Sequence, residues 1–287
     1  MISCIICSRR PDISVELKEN IVSTIGCDYE LVVIDNSKND YSICSAYNEG
    51  VRRAKGDILC FMHEDILYHT KRWGLKVAEY FVQYPQAGLI GVAGTHYLSS
   101  IPSGWWDAEL NSGNIIQGYT DDGCYQTRTD SWFQFKTNPT QVIAVDGVWM
   151  CMLRSVFDKV KWDDTIFNGF HGYDIDMSLQ VWTADNEVHI IWEILIEHKS
   201  QGKLDETFFK NYKSLWEKWY SVFPMIKGVK LNDSERIART RLIELKAYIK
   251  SQNEHIDKLY KSQAYRLGKF LLSPDRKSTR LNSSHIH

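Results

Sequence analysis

The chain has 287 residues, of which 44% are hydrophobic and 24% are charged, as in an ordinary soluble globular protein. Its formal net charge of −2 provides no overall basic field, so nucleic acid is excluded as an expected partner. The seven cysteines are an odd number and lie mostly in apolar runs, which indicates reduced core residues of a cytoplasmic protein. The N-terminal apolar run is too short for a signal peptide, and no apolar run is long enough to span a membrane.

The first hundred residues alternate between short apolar runs and helical patterns. Strands are expected at Ile2–Cys7, Glu30–Asp35, Ile58–Met62 and Gly88–Gly94. Helices are expected at Asp12–Ile25, Ser42–Gly56 and Lys71–Gln83. This alternation predicts an α/β fold with a mostly parallel sheet flanked by helices. In such sheets, ligands bind beyond the carboxyl ends of the strands.

Polar side chains follow three of these predicted strands. Ser8 and Arg9 follow the first strand, Asp35 ends the second, and the sequence His63-Glu64-Asp65 follows the third. Side chains alternate along a strand, so His63 and Asp65 should face one way and Glu64 the other. The polar side chains that follow the three strands would therefore meet at one edge of the sheet.

A carboxylate at this edge suits Mg²⁺ or Mn²⁺ bound to a diphosphate, because these ions prefer hard oxygen ligands. Asp65 could be the first ligand, and His198, at the end of a later predicted strand, could be the second. An imidazole nitrogen slightly favours Mn²⁺. The alternative is that His63 and Glu64 only cap a strand and that His198 lies at a surface turn.

The stretch from Thr95 to Asp146 breaks the regular alternation, and we expect a functional loop or lid with about two strands in it. Trp105, Trp106 and Trp132 lie in this stretch. Their rings could stack on the apolar face of a sugar, or they could simply anchor the loop to the core.

A second unit follows, with a strand predicted at Val142–Leu153 and a helix that begins near Tyr173. Asp174 and Asp176 lie in the first turn of this helix. Because residues two apart on a helix point to different faces, the two carboxylates should not share one site. Two further strands, ending at His198, close the unit, and the chain beyond Gln201 reads as helical.

The order of the segments ELVVIDNS, AYNEGVRRAKGDILCFMHEDI, VDGVWMCMLRSVF, GFHGYDIDMSLQV and EHKSQG resembles the inverting glycosyltransferases of GT-A fold, in the large nucleotide-sugar family of family 2 type. The closest resemblance is to a subgroup whose DXD motif begins with His. It implies a Rossmann-like catalytic domain over residues 1–202, with a nucleotide-sugar half (1–95) and an acceptor half (96–202). A C-terminal helical extension (203–274) would follow.

The resemblance implies a donor side and an acceptor side. Donor-side residues would be Ser8, Arg9, Asp35 at the base and ribose, Asn48 near the nucleoside, and His63 near the ribose or the metal. Asp65 and the late His198 would ligate the metal. On the acceptor side, GYDID resembles the family's ED motif, with Tyr173 where Glu is usual and Asp174 at the position of the catalytic base. Trp149 and Asp176 would border the acceptor.

The resemblance therefore implies metal-dependent, inverting transfer of a hexose-type sugar from a nucleotide-diphosphate sugar to a glycan or a lipid-linked acceptor, in cell-surface polysaccharide synthesis. Two alternatives share the fold. A sugar-phosphate nucleotidyltransferase normally has a glycine-rich loop after the first strand, and CSRRPD has no glycine. A noncatalytic carbohydrate- or nucleotide-binding protein could keep the fold without the chemistry.

The C-terminal region is basic. From Ile226 to Phe270 there are eleven Lys and Arg against five Asp and Glu, and such helices can lie on an anionic membrane. We expect a cytoplasmic protein that can be peripheral at the inner face of the membrane. The alternative is a helix that packs on the catalytic domain or on another subunit. The stretch DRKSTRLNSSH resembles a translated sequencing adapter, so residues 275–287 are expected to be a non-native tail without core contacts.

Overall fold

The computed structural model describes residues 1–200 and 206–261. The expectations for the tail over 275–287 and for the helical extension beyond residue 261 lie outside these residues. Within the two described ranges, none of the helices combines the length and the hydropathy that a bilayer-crossing helix needs.

The chain begins with alternating strands and helices and ends in helices. The strands are β1 Ile2–Ser8, β2 Tyr29–Asp35, β3 Ile58–Met62, β4 Ile66–Tyr68, β5 Ala87–Gly91, β6 Ala93–Thr95, β7 Tyr97–Leu98, β8 Asn111–Asp121, β9 Cys124–Trp132, β10 Thr140–Gln141, β11 Ala144–Val145, β12 Trp149–Leu153, β13 Glu187–Ile190, β14 Ile196–His198 and β15 Met225–Ile226. The helices are α1 Val15–Thr24, α2 Ile43–Arg53, α3 Trp73–Gln83, α4 Arg154–Phe157, α5 Tyr173–Thr183, α6 Glu206–Lys218 and α7 Asp233–Lys261, with a 3-10 turn at Tyr220–Val222.

The main sheet has the strand order β10-β13-β5-β12-β3-β1-β2. Its pairings β1–β2, β1–β3 and β5–β13 are parallel, whereas β3–β12, β5–β12 and β10–β13 are antiparallel. The expectation of a mostly parallel sheet is therefore wrong, and the sheet is mixed. The reason is that β12 inserts antiparallel between β3 and β5, and a short buried apolar run such as WMCML carries no signal for strand direction.

Both faces of the main sheet are buried. Along β1, Ile5 packs in the core cluster that contains α2 and α5, whereas Cys4 and Ile6 pack in the cluster that contains α1 and α3. This period-2 alternation with apolar residues on both sides is what a strand covered by helices on two faces requires. Helix α6 adds Leu215 and Trp216 to the first of these clusters.

A second sheet has the strand order β11-β6-β8-β14-β4, and β9 extends it by pairing with β8. The stretch from Thr95 to Asp146 contains a long antiparallel hairpin and short strands, so it is more regular than the sequence indicated. Asp122 and Gly123 at its tip both have positive φ, 47° and 78°, as favoured two-residue hairpin turns require.

The strand predicted at Val142–Leu153 is two strands rather than one. Its first part, β11, pairs with β6 in the second sheet, and its second part, β12, pairs with β3 and β5 in the main sheet. The break at residues 146–148 takes the chain from one sheet to the other, and this crossing lies at the candidate site.

Candidate active site

Three potential metal ligands meet where β3 ends and the second sheet begins. The antiparallel pairing of β14 with β4 sets His198 opposite Ile66, and the amide of Lys199 donates to the carbonyl of Asp65 at 2.9 Å. This register brings His198, which lies far along the chain, beside the end of β3. His63, Asp65 and His198 each offer one ligand atom, and these atoms all lie within 4.8 Å of one another.

The distances in this group fit a single divalent ion. His63 Nδ1 lies 3.4 Å from His198 Nε2, and His198 Nε2 lies 3.6 Å from Asp65 Oδ1. Two ligands about 2.1 Å from one ion at right angles would be about 3.0 Å apart, so a small inward adjustment closes the set. The donor set of two imidazoles and one carboxylate favours transition metals such as Mn²⁺ over Mg²⁺ or Ca²⁺.

The protonation states of this group also suit metal binding. Burial, followed by the charge of His198, lowers the pKa of His63 to about 4. Burial alone would raise the pKa of Asp65, but the close contact with His198 and the charge of that ring hold it well below its usual range. His63 is therefore neutral and Asp65 ionised near pH 7, and these are the forms that bind a cation.

Glu64 faces away from the metal-ligand set, as the strand alternation predicted. Its carboxylate accepts from Ser8 Oγ at 2.6 Å and from Arg9 Nε at 2.7 Å. Glu64 thus ties the end of β1 to the motif after β3. Asp35 ends β2 in register with Ser8; its side chain is exposed and accepts from the amide of Ser37 at 2.9 Å.

Tyr173 joins the metal-ligand set to helix α5. Its hydroxyl lies 3.1 Å from His63 Nε2 and donates to the carbonyl of Gly147 at 3.3 Å. A Cβ on Gly147 would come within 2.2 Å of this hydroxyl, so only glycine allows the contact. Gly172 has a φ of 78°, which lets the chain turn sharply into α5.

Asp174 is the next residue and is buried, with 8% of its surface exposed. Its carboxylate accepts from the amides of Gly147 at 3.1 Å and Ile175 at 2.9 Å. Burial, followed by the negative charge of Asp146, raises the pKa of Asp174 to about 7. A carboxyl group with such a pKa can exchange a proton near neutral pH.

Asp176 points elsewhere. It pairs with Lys218 of α6 at 2.7 Å and accepts from Trp219 Nε1 and Gln180 Nε2, both at 2.7 Å. Burial raises the pKa of Asp176 despite this pairing. Burial would lower the pKa of Lys218, but the two carboxylates that pair with it, Asp163 and Asp176, keep that pKa raised. Asp176 therefore anchors α6 against α5.

A cavity of about 580 Å³ opens beside these groups. His63, His198 and Asp174 line it, together with aromatic rings and charged side chains from the hairpin β8–β9, from the loops and from α6. The aromatic lining residues are Trp105, Trp106, Trp132, Phe170, Tyr173, Phe208 and Tyr212. An apolar pocket with a few convergent polar groups is the usual form of a small-molecule site.

A smaller cavity of about 210 Å³ borders Asp65. Arg9, Arg10 and Lys199 contribute basic side chains to its lining. The metal-ligand set therefore lies between the two cavities, with Asp65 at the smaller one and the two histidines at the larger one. Glu16, Glu64 and Asp65 also line this cavity, and Arg9 pairs with Glu64 and Lys199 with Glu16, so its formal charges balance.

Two other residues that were predicted from the sequence to contribute to the site, Trp149 and Asn48, do not line either of these cavities. Trp149 is fully buried, and its Nε1 donates to Tyr68 Oη at 2.8 Å. Asn48 of α2 donates to the carbonyl of Trp162 at 2.9 Å and to Asp164 at 3.2 Å, which fixes the loop before α5. In this structure both side chains support the site from outside its walls.

Several lining residues were not among the site residues predicted from the sequence. Asp146 lies at the crossing between the sheets, where its carboxylate accepts from Trp105 Nε1 at 3.1 Å and from the amide of Val148 at 2.8 Å. The Asp-Gly pair that interrupts VIAVDGVW was its signal. Arg128 and Asp130 form an ion pair at 3.0 Å on β9, and a polar alternating strand gives no comparable signal.

The sequence model of the glycosyltransferase-like family matches residues 1–216. The chain belongs to this family. The match spans the metal-ligand set, Asp174 and most of α6. No curated protein matches the sequence significantly.

This glycosyltransferase-like chain is similar in fold to GalNAc-T7, solved with UDP, GalNAc and Mn²⁺, with a TM-score of 0.51 and 12% identity over 77% of this chain and 48% of that one. The chain thus spans about half the length of that structure. A second structure, A197 from STIV, has a TM-score of 0.38 and 12% identity over 70% of this chain and 86% of that one. The likeness to GalNAc-T7 shows the fold, which is a GT-A type with a mixed sheet.

Proposed function

We propose that this protein is a metal-dependent, inverting glycosyltransferase that moves a hexose-type sugar from a nucleotide-diphosphate sugar to a glycan or lipid-linked acceptor. The observation that carries the proposal is the meeting of His63, His198 and Asp174 at one aromatic cavity. Family membership supports sugar transfer.

The metal would be held by His63, Asp65 and His198. When bound, Mn²⁺ or Mg²⁺ would neutralise the donor diphosphate and stabilise it as a leaving group. The crystal structure of GalNAc-T7 contains UDP and Mn²⁺, which supports this class of donor and this metal. Arg10 would add positive charge for the diphosphate in the smaller cavity, where Arg9 and Lys199 are paired with Glu64 and Glu16. Ser8, through Glu64, would hold this edge in place.

The nucleoside would lie near the end of β2. Asp35 is exposed there beside Ser8, so its carboxylate could accept from a ribose hydroxyl or a base N–H. Asn48 would act on the donor only through the loop that its amide fixes.

Asp174 would act as the general base. In a single displacement, the carboxylate takes the proton of the acceptor hydroxyl while that oxygen bonds to the anomeric carbon and the bond to the nucleoside diphosphate breaks. The configuration at the anomeric carbon is thereby inverted. The raised pKa of Asp174 suits this role, because a base works best with a pKa near the working pH.

The acceptor would lie against the aromatic walls of the larger cavity. Trp106 and Trp132 could stack on the apolar face of a sugar, and Tyr173 lines the same cavity. Asp176 would hold helix α5, and with it the base, through its pair with Lys218 of α6. A glycan or lipid-linked acceptor of cell-surface polysaccharide synthesis fits a cytoplasmic enzyme that works beside the membrane.

The test is isothermal titration with UDP, GDP and dTDP, with and without Mn²⁺, followed by incubation with the matching nucleotide sugars. We expect one nucleotide to bind only with the metal, and NMR of the product to show inverted anomeric configuration. Asp65→Ala should abolish metal-dependent binding, whereas Asp57→Ala, at an exposed turn, should not. Metal-independent binding in the wild type or retained configuration would contradict the proposal, and binding without any transfer would favour a noncatalytic protein.

A further inference from the structure

Helix α7 lies on the body of the protein along one face only. Tyr97 Oη lies 3.2 Å from Thr240 Oγ1, Ile243 is 1% exposed, and Lys246 bonds to Glu109 at 2.8 Å. These residues recur every three or four positions, so they form one face of the helix. The opposite face is directed away from the body.

The outward face is apolar. Leu245, Tyr248 and Ile249 are 58%, 63% and 56% exposed, although they are large hydrophobic side chains on adjacent turns. Three such residues side by side form a contiguous apolar surface, which in a soluble protein marks an interaction site.

The amino-acid sequence of α7 repeats every seven residues, in phase with Leu245 and Ile249. Apolar residues follow one another at alternating intervals of three and four, with a single polar interruption. These seam residues are Leu242, Leu245, Ile249, Gln252, Ile256 and Leu259. Spacing of this kind, averaging 3.5 residues, brings a helix into continuous contact with a second helix that supercoils around it.

The residue types in the repeat specify the partner further. In heptad notation, the a positions are Leu242, Ile249 and Ile256, and the d positions are Leu245, Gln252 and Leu259. Two of the three a positions are thus Ile and two of the three d positions are Leu. Ile at a with Leu at d favours two parallel strands. Gln252 is a polar seam residue, which can fix the register at some cost in stability.

The charges on α7 argue against a membrane as the partner. Arg239 donates to the carbonyl of Ala108, Lys246 pairs with Glu109, and Lys250 lies 4.2 Å from the ring centroid of Phe209. These three basic groups are thus turned toward the protein's own body, whereas Arg236 and Arg241 of the same helix are exposed. A helix bound to anionic lipid instead presents its lysines and arginines beside its apolar face.

We propose that the seam of α7 pairs with the same seam of a second copy, in a parallel two-stranded coiled coil that makes the protein a dimer. From Leu242 to Leu259 the seam is about 27 Å long. Leu242 is half-buried beside the body, whereas Leu245 and Ile249, about one and two turns farther along the helix, are exposed. The two bodies would flank the coil on opposite sides, because each body contacts the helix face away from the seam.

The first test is sedimentation equilibrium of the full chain. The chain mass is 33.4 kDa, and we expect the wild type to sediment with the mass of two chains. Leu245→Glu combined with Ile249→Glu should sediment as one chain with unchanged circular dichroism. Tyr220→Glu is a matched control, because Tyr220 is 82% exposed but lies outside α7, and it should remain a dimer.

Other outcomes overturn the proposal. A wild-type mass other than that of two chains excludes the two-stranded coil, and a dimer that persists in the double variant excludes this seam. A monomer that co-sediments with phosphatidylglycerol vesicles, but not with phosphatidylcholine vesicles, would assign the face to the membrane instead.

A second test addresses the orientation of the two helices. Leu245→Cys is introduced into a Cys124→Ser background, which removes the exposed native thiol. In a parallel coil the two introduced thiols face each other, so mild oxidation should link nearly all chains into disulfide dimers. An antiparallel pair would set Leu245 far from its counterpart, and absence of the link in a dimeric protein would exclude the parallel arrangement.

Discussion

His63 Nε2 and the hydroxyl of Tyr173 lie 3.1 Å apart, so the motif after β3 and the first turn of α5 are in direct contact. Because Tyr173 also donates to the carbonyl of Gly147, its hydroxyl accepts from His63 Nε2–H. This leaves His63 Nδ1 without its proton and directed at His198. The contact therefore selects the tautomer that can ligate a metal.

Tyr173→Phe should weaken metal binding by about 10- to 100-fold, the usual effect of losing a group that orients a ligating histidine. Isothermal titration with Mn²⁺ in the presence of the cognate nucleotide would measure it. Tyr47→Phe is the matched control, since Tyr47 packs beside Tyr173 and, in the part of the chain that the structure describes, its buried hydroxyl has no hydrogen-bond partner. Equal metal affinity in wild type and Tyr173→Phe would show that the contact does not orient His63.

Asp174→Asn and Asp176→Asn should separate chemistry from stability. Asp174→Asn should lower kcat by about 10² to 10⁴, because a positioned general base contributes that much, while metal and donor still bind. Asp176→Asn should reduce kcat less but lower the free energy of unfolding by about 1–3 kcal/mol, because it removes a charged partner of Lys218. Urea unfolding and steady-state kinetics on both variants measure these effects. Near-normal turnover in Asp174→Asn would refute the base assignment.

The pH dependence of kcat/KM should report Asp174. A base must be ionised, and burial together with Asp146 raises the pKa of Asp174 to about 7, so kcat/KM should rise with pH through that value. Asp146→Asn removes a negative neighbour and should shift this acid limb to lower pH. Asp57→Asn makes the same charge change at an exposed turn and should leave the limb in place. A limb near pH 4 in the wild type would contradict the role of burial.

Asp35→Ala should weaken nucleotide binding by about tenfold or more, as expected when a charge-assisted hydrogen bond is lost. The metal requirement should stay unchanged, because Asp35 lies at the end of β2 and is absent from the metal-ligand set. Titration of the variant with the cognate nucleotide, at several Mn²⁺ concentrations, tests both statements. Asp28→Ala, near the opposite end of the same strand, serves as control. Wild-type nucleotide affinity in Asp35→Ala would remove this residue from the donor site.

Much of the site was readable from the sequence because its signals are local. The alternation of side chains predicted that His63 and Asp65 face together and that Glu64 faces away, and the contacts of Glu64 with Ser8 and Arg9 agree. The two-residue spacing of Asp174 and Asp176 predicted that they serve different surroundings, and they do. Backbone periodicity fixes such relations whatever the rest of the chain does.

Other features depended on contacts between distant segments. A short apolar run such as β12 reveals burial but not direction, so the antiparallel insertion between β3 and β5 was not predictable. The place of His198 beside Asp65 follows from the register of β14 against β4, and the raised pKa of Asp174 follows from its burial near Asp146. Strand direction, register and desolvation are set by the packing of the whole chain, and only the tertiary structure decides them.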